Sequence, residues 1–144
     1  MDIQNRIDSL KSEFAGLQNW EDKYKKIIEM GRALEPMSNE LKSSENIVKG
    51  CQAQVWLSAS LTESNKMKLF GDSDALIVKG LIAVLLSVYS ESTPLEILQK
   101  PPDFIKELGF DSNLSPSRAN GLFAMIKQIK NYAIAFDYII KSQV

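Results

Sequence analysis

One cysteine, Cys51, and no histidine anywhere in 144 residues set the chemistry open to this chain. Cysteine hydrolases pair the thiol with a general base, most often an imidazole, and that base is missing. Structural zinc and iron–sulfur clusters want several Cys or His ligands, and one thiol cannot supply them. No resident cofactor or metal is therefore expected, and a protein that holds sulfur for another fits the inventory better than a stand-alone thiol enzyme. Most free cysteines are small buried hydrophobes. Three neighbours argue for more. Gly50 frees the backbone before the thiol. A polar stretch turns into a strand at this point, and such junctions often carry function. Gln52 and Gln54 flank the residue, and their amides could hydrogen-bond the loop or a bound sulfur anion.

Other motifs are weak. The seven glycines form neither GxGxxG nor GxxxxGK[ST]. Gly71-Asp72-Ser73-Asp74 resembles part of a calcium loop but lacks its ligand spacing and terminal Glu, so a turn with a helix cap is the better reading. Gly80, inside an apolar helix, costs about 1 kcal/mol against Ala, which a close packing contact explains. Asp74 is read in the first turn of a helix, where the dipole favours a carboxylate. Arg118 is read in the first turn of the last helix, where the dipole disfavours a cation. It must be solvated or paired with an acid, and either residue could face a partner.

Hydrophobic periodicity supplies the elements that position these residues. Ile3, Ile7, Leu10, Phe14 and Leu17 predict an amphipathic helix near 2–16. Asn19 caps a second through Leu34, with Tyr24, Ile27, Ile28 and Gly31 on one face. Ser38 to Asn46 reads as loop. From Ala53 to Leu61 the period becomes two, a strand. Met67–Phe70 is its hairpin partner, ended by Gly71-Asp72-Ser73, and Ile47-Val48 adds a short third strand. Ser73 or Asp74 caps a buried helix to about Tyr89. Thr93-Pro94 opens a short helix to Gln99, Pro102–Leu108 another stopped by Gly109, and Ser115-Pro116 the long last one. That last helix offers Leu122, Phe123, Met125, Ile126, Ile129, Ala133, Phe136 and Ile140 to the core. The fold class is α+β: a small central antiparallel sheet of about three strands packed by helices, in one domain over 1–144.

Seventeen basic and eighteen acidic side chains leave a net charge of −1, with no general pull toward nucleic acid or anionic membrane. No signal peptide is evident at the N-terminus. The apolar run Ala75–Tyr89, broken by Lys79, is too short to span a bilayer. A cytoplasmic setting is expected, and a lone cysteine fits it.

The chain resembles the SufE family of sulfur acceptors. The likeness rests on Asn19-Trp20-Glu21-Asp22-Lys23-Tyr24, on Val48-Lys49-Gly50-Cys51-Gln52-Ala53-Gln54-Val55-Trp56, on Gly71-Asp72-Ser73-Asp74-Ala75 with Ile77-Val78-Lys79-Gly80-Leu81, and on Leu114-Ser115-Pro116-Ser117-Arg118 with Asn120-Gly121-Leu122. The family often has Ser where Ala53 stands, a change that leaves the thiol and both amides in place.

The resemblance implies a compact α+β domain like that of the NifU-type scaffolds, with Cys51 on a loop. It implies a role in iron–sulfur cluster assembly. Cys51 would take persulfide sulfur from a pyridoxal-phosphate cysteine desulfurase (of the SufS or CsdA kind), stimulate that enzyme, and pass the sulfur to a downstream scaffold. On this reading the chain is no enzyme itself but a co-substrate and activator. The alternative is an adaptor that binds and regulates a desulfurase without carrying sulfur. Apolar surroundings would guard a persulfide yet slow attack, so a two-state loop is expected. Cys51 would be sheltered in the free protein and drawn out by the partner, with Asp74 a candidate restraint on the loop.

Overall fold

Helices begin where capping side chains stand. In the computed structural model, which describes residues 2–143, Asp2 accepts a hydrogen bond from the Asn5 N–H at the start of α1 (Ile3–Ala15). Asn19 does the same from Asp22 at the start of α2 (Trp20–Arg32). A 3-10 turn at Ser44–Asn46 breaks the expected loop. Strands β1 (Val55–Leu61) and β2 (Met67–Ser73) form an antiparallel hairpin, followed by α3 (Leu76–Tyr89). Thr93 and Glu96 make a reciprocal capping box at α4 (Pro94–Leu98). Next come α5 (Asp103–Glu107) and α6 (Phe110–Asn113), joined by left-handed Gly109. Last is α7 (Pro116–Ser142), capped by Ser115. The class is α+β, as the sequence predicts.

The sheet departs from expectation in two ways. Among the described residues it has two strands, not three. Ile47 makes only an isolated bridge to Trp56, and the Val48 N–H donates to the Val55 carbonyl at 2.9 Å. The next acceptor along that edge, the Leu57 carbonyl, is taken by the Tyr132 hydroxyl of α7 at 2.9 Å. A helix side chain thus occupies the place a third strand would need. The far edge is also covered. Met67 exchanges backbone bonds with Ser92 and Glu91, and the Leu69 N–H donates to Ser90 Oγ. An isolated two-stranded hairpin is marginal in water, so these side contacts matter.

The second departure is at Gly71-Asp72-Ser73, which continues β2 opposite Leu57, Trp56 and Val55 instead of ending it. Gly71 serves packing here: a Cβ would lie 2.6 Å from Ile82 Cγ2 of α3. The cap of α3 shifts as a result. Its N-cap is Ala75, whose N–H donates to Ser73 Oγ, and Asp74 lies outside the helix. In α7, Leu122, Met125, Ile126, Ile129 and Ala133 are buried as expected, whereas Phe123 is exposed.

Helix α3 runs through the centre, with Leu81, Ile82, Val84, Leu85, Val88 and Tyr89 fully buried. It meets α2 backbone to backbone. A Cβ on Gly31 would lie 2.7 Å from the Gly80 nitrogen, and one on Gly80 would fall onto the Ile27 carbonyl. The helical glycine is a crossing point. Buried Asp72 is held by Lys42 at 2.7 Å and Lys79 at 3.4 Å and accepts from the Ser73 N–H. These bonds pin the segment before Cys51 to the sheet. Burial alone would raise the Asp72 pKa, but the hydrogen bond from Lys42, the Ser73 amide and the charge of Lys79 together hold it below the usual value.

The crossing and the ion network can each be tested by one substitution. Gly80→Ala should destabilise by about 3 kcal/mol despite Ala's better helix propensity, because the helices must part. Urea unfolding showing wild-type stability would refute the crossing. Asp72→Asn should destabilise by about 2 kcal/mol at pH 7, since it leaves two lysines facing a neutral group. The folded pKa is depressed, so this contribution is complete above the unfolded value of about 3.9 and disappears as pH falls through the folded value. The wild-type and variant curves should therefore converge in acid, and a gap that persisted there would rule the assignment out.

Candidate functional site

Residues 49–54 are a closed excursion from the edge of β1. Val48 already bonds to Val55, so the six residues between must leave and return at one point. Gly50 makes the turn with φ +93°, a conformation that favours glycine, and packs near Ala124 of α7. Cys51 follows at the tip.

The base of this loop is tied several times. The Gln54 N–H donates to Asp74 Oδ1 at 3.1 Å. The Gln54 carbonyl accepts from Ser73 Oγ at 2.8 Å and from the Asp74 N–H at 3.4 Å. Asp74 therefore serves the loop, not the dipole of α3. The tip is held more lightly. Cys51 is half-buried, and its Sγ lies 3.6 Å from the Gly121 carbonyl of α7, the length of a weak S–H···O bond.

Beside the thiol opens a cleft of about 420 Å³. The loop side carries Cys51, Gln52 and Ala53. The helix α3 side carries Ala75, Val78 and Leu81. The α7 side carries Ser115, Ser117, Arg118, Gly121 and Met125. Walls of Val, Leu and Met flank the half-buried thiol, and this partial burial pushes its pKa up. Arg118 brings a cation to the same cleft and, among the described residues, forms no ion pair.

The structure thus brings Cys51, Gln52 and Arg118 to one cleft, and links Gln54 to Asp74 through the backbone. The Gln54 side chain does not line the cleft, and Gly50 acts from behind as the turn. Sequence reasoning passed over Ser117, Gly121 and Met125 as site residues. Gly121 carried a signal: a glycine inside a helix, like Gly80, asks for a close neighbour.

No group of three or more His, Cys, Asp or Glu among the described residues could hold a metal ion. No helix among them is long and apolar enough to cross a membrane. The arrangement sets one thiol, apolar walls and one cation in the same cleft.

The solution structure of a hypothetical protein from Thermus thermophilus superposes with a TM-score of 0.76 at 20% identity, covering 91% of this chain and 95% of that one. At that identity the likeness establishes the shared fold. The family model of the SufE, Fe-S metabolism associated domain matches residues 8–133, from α1 to late in α7 and across every wall of the cleft, and this chain belongs to that family.

Proposed function

We propose that the protein is a sulfur acceptor: Cys51 takes the terminal sulfur of a cysteine desulfurase persulfide and hands it on to iron–sulfur cluster assembly. The observation that carries this reading is the mounting of Cys51. The only thiol in the chain sits at the tip of a loop with a tied base and a lightly held tip, over an apolar cleft.

The chemistry is thiol exchange. The Cys51 thiolate attacks the outer sulfur of the partner's persulfide. A new S–S bond forms at Cys51, the partner's S–S bond breaks, and its electron pair leaves on the partner's cysteine as a thiolate. The transferred sulfur stays on Cys51. No oxyanion develops, so neither a histidine nor an oxyanion hole is needed. Pyridoxal phosphate does its work in the desulfurase, and this chain contributes a co-substrate.

Shelter and attack make opposite demands on the thiol. In the cleft the neutral form is favoured, which protects it and slows attack. Docking draws the tip outward to the partner. Arg118, at the cleft and without an acidic partner among the described residues, faces the desulfurase or its sulfur anion. Gln52 does the same from the loop. Asp74 restrains the loop at its base.

Two experiments test this. Intact mass after incubation with a pyridoxal-phosphate desulfurase and free cysteine should show added sulfur, reversed by dithiothreitol and absent in Cys51→Ser. If Cys51→Ser still stimulated the desulfurase while neither protein gained mass, the chain would be an adaptor. Asp74→Ala should loosen the base and raise the rate of sulfur uptake about fivefold, the worth of roughly 1 kcal/mol of lost hydrogen bonding. An unchanged rate and unchanged partner affinity would remove Asp74 from the mechanism.

A further inference from the structure

Gly121 faces Cys51 from the α7 wall of the cleft, and its contacts differ from those of the other helical glycines. A Cβ placed there would lie 3.4 Å from Cys51 Sγ and 3.9 Å from Cys51 Cβ, and would meet nothing else so near. At Gly31 and Gly80 the same added atom would strike backbone. The space above Gly121 is therefore bounded by the Cys51 side chain alone, at a distance that leaves room for a Cβ and no more. Its carbonyl supplies the one hydrogen-bond partner that the sulfur has among the described residues, at 3.6 Å. A carbonyl can accept from S–H and has nothing to offer a thiolate.

We propose that Gly121 is a positioning residue: its bare Cα and its carbonyl form the seat that holds Cys51 sheltered as the neutral thiol, and losing the proton releases the loop tip. This rests on the sulfur-acceptor reading and deepens it by naming what sets the resting state of the nucleophile. Deprotonation removes the S–H···O bond and leaves an anion facing the negative end of a carbonyl. Walls of Val78, Leu81 and Met125 offer an anion no hydrogen bond. Of the charged groups around the loop, Arg118 shares the cleft and favours an anion there. Asp74 is engaged with the Gln54 amide, and Lys49 lines the separate hollow on the other side of the loop. An anion leaving the seat therefore moves toward solvent and the Arg118 guanidinium.

The test needs no desulfurase, so it can fail while sulfur transfer stands, and sulfur transfer can fail while it stands. The rate of Cys51 alkylation by iodoacetamide is followed from pH 6 to 11 in the wild type, Gly121→Ala and Gly121→Val. An alanine Cβ would rest at ordinary contact distance from the sulfur, whereas the valine methyls reach further and must displace it. Valine should therefore react faster than the wild type, with alanine close to the wild type. If the exposed form rises from about 1% to 10%, the gain is on the order of tenfold for valine. The apparent thiol pKa should fall in valine, toward that of a free cysteine.

A wild-type rate and pH profile in folded Gly121→Val would overturn the proposal. A second measurement covers loss of folding. Urea unfolding of Gly121→Val is compared in the native and the Cys51→Ala background. Removal of the sulfur should relieve most of the valine's destabilisation, because the two side chains compete for one space. A penalty that was the same in both backgrounds would mean Gly121 serves something other than Cys51.

Discussion

The outer edge of β1 is the constraint from which the site grows. A strand edge left open exposes unpaired amides and carbonyls. Here Val48 closes the first position of that edge and the Tyr132 hydroxyl closes the next. The chain meets β1 at Val48 and must start β1 itself at Val55. Residues 49–54 have nowhere to go but out and back. Cys51 is displayed because the sheet needs its edge covered, and α7 supplies both the Tyr132 cover and the Gly121 wall against which the thiol leans. One helix thus fixes the sheet and the site together.

Around that loop, binding strength is distributed unevenly. The base has a carboxylate, a hydroxyl and one backbone N–H bonded to Gln54. The tip has one sulfur contact, weaker than an ordinary hydrogen bond. A displacement of the tip breaks little, whereas a displacement of the base breaks a network. This asymmetry puts Cys51 on the part of the loop that shifts at least cost. The ion network of Lys42, Asp72 and Lys79 lies just behind the base, joining the preceding segment to the sheet and to α3. It makes the platform stiff while the tip stays movable.

Local signals made most of the fold legible. The caps at Asn19, Thr93 and Ser115 and the alternation from Val55 to Leu61 act within a few residues, and the structure follows them. What escaped was decided by contacts distant in sequence. Gly71-Asp72-Ser73 reads as a turn because its residue types favour turns. It extends β2 because Ile82 needs the space of Gly71 and two lysines hold Asp72. The sequence predicts a short third strand at Ile47-Val48, but its pairing stops at one bridge because Tyr132, 85 residues further on from Ile47, takes the next acceptor along the edge, the Leu57 carbonyl. Cys51 stands out in the sequence by its type and setting, whereas the contacts of Asp74 with Gln54 and of Gly121 with Cys51 span 20 and 70 residues.

Gly80 and Gly121 show why residue type alone could not finish the reading. Both interrupt apolar helices, and both lack a left-handed backbone that would explain them by turn geometry. Each makes sense only through what fills the missing side chain's place. At Gly80 it is the Ile27 backbone, which cannot move without parting two helices. At Gly121 the nearest neighbour is the end of a side chain on a lightly held loop, at ordinary contact distance. The first contact is between backbones and contributes stability. The second involves a sulfur held by one weak bond, so the neighbour of Gly121 can move at small cost where that of Gly80 cannot.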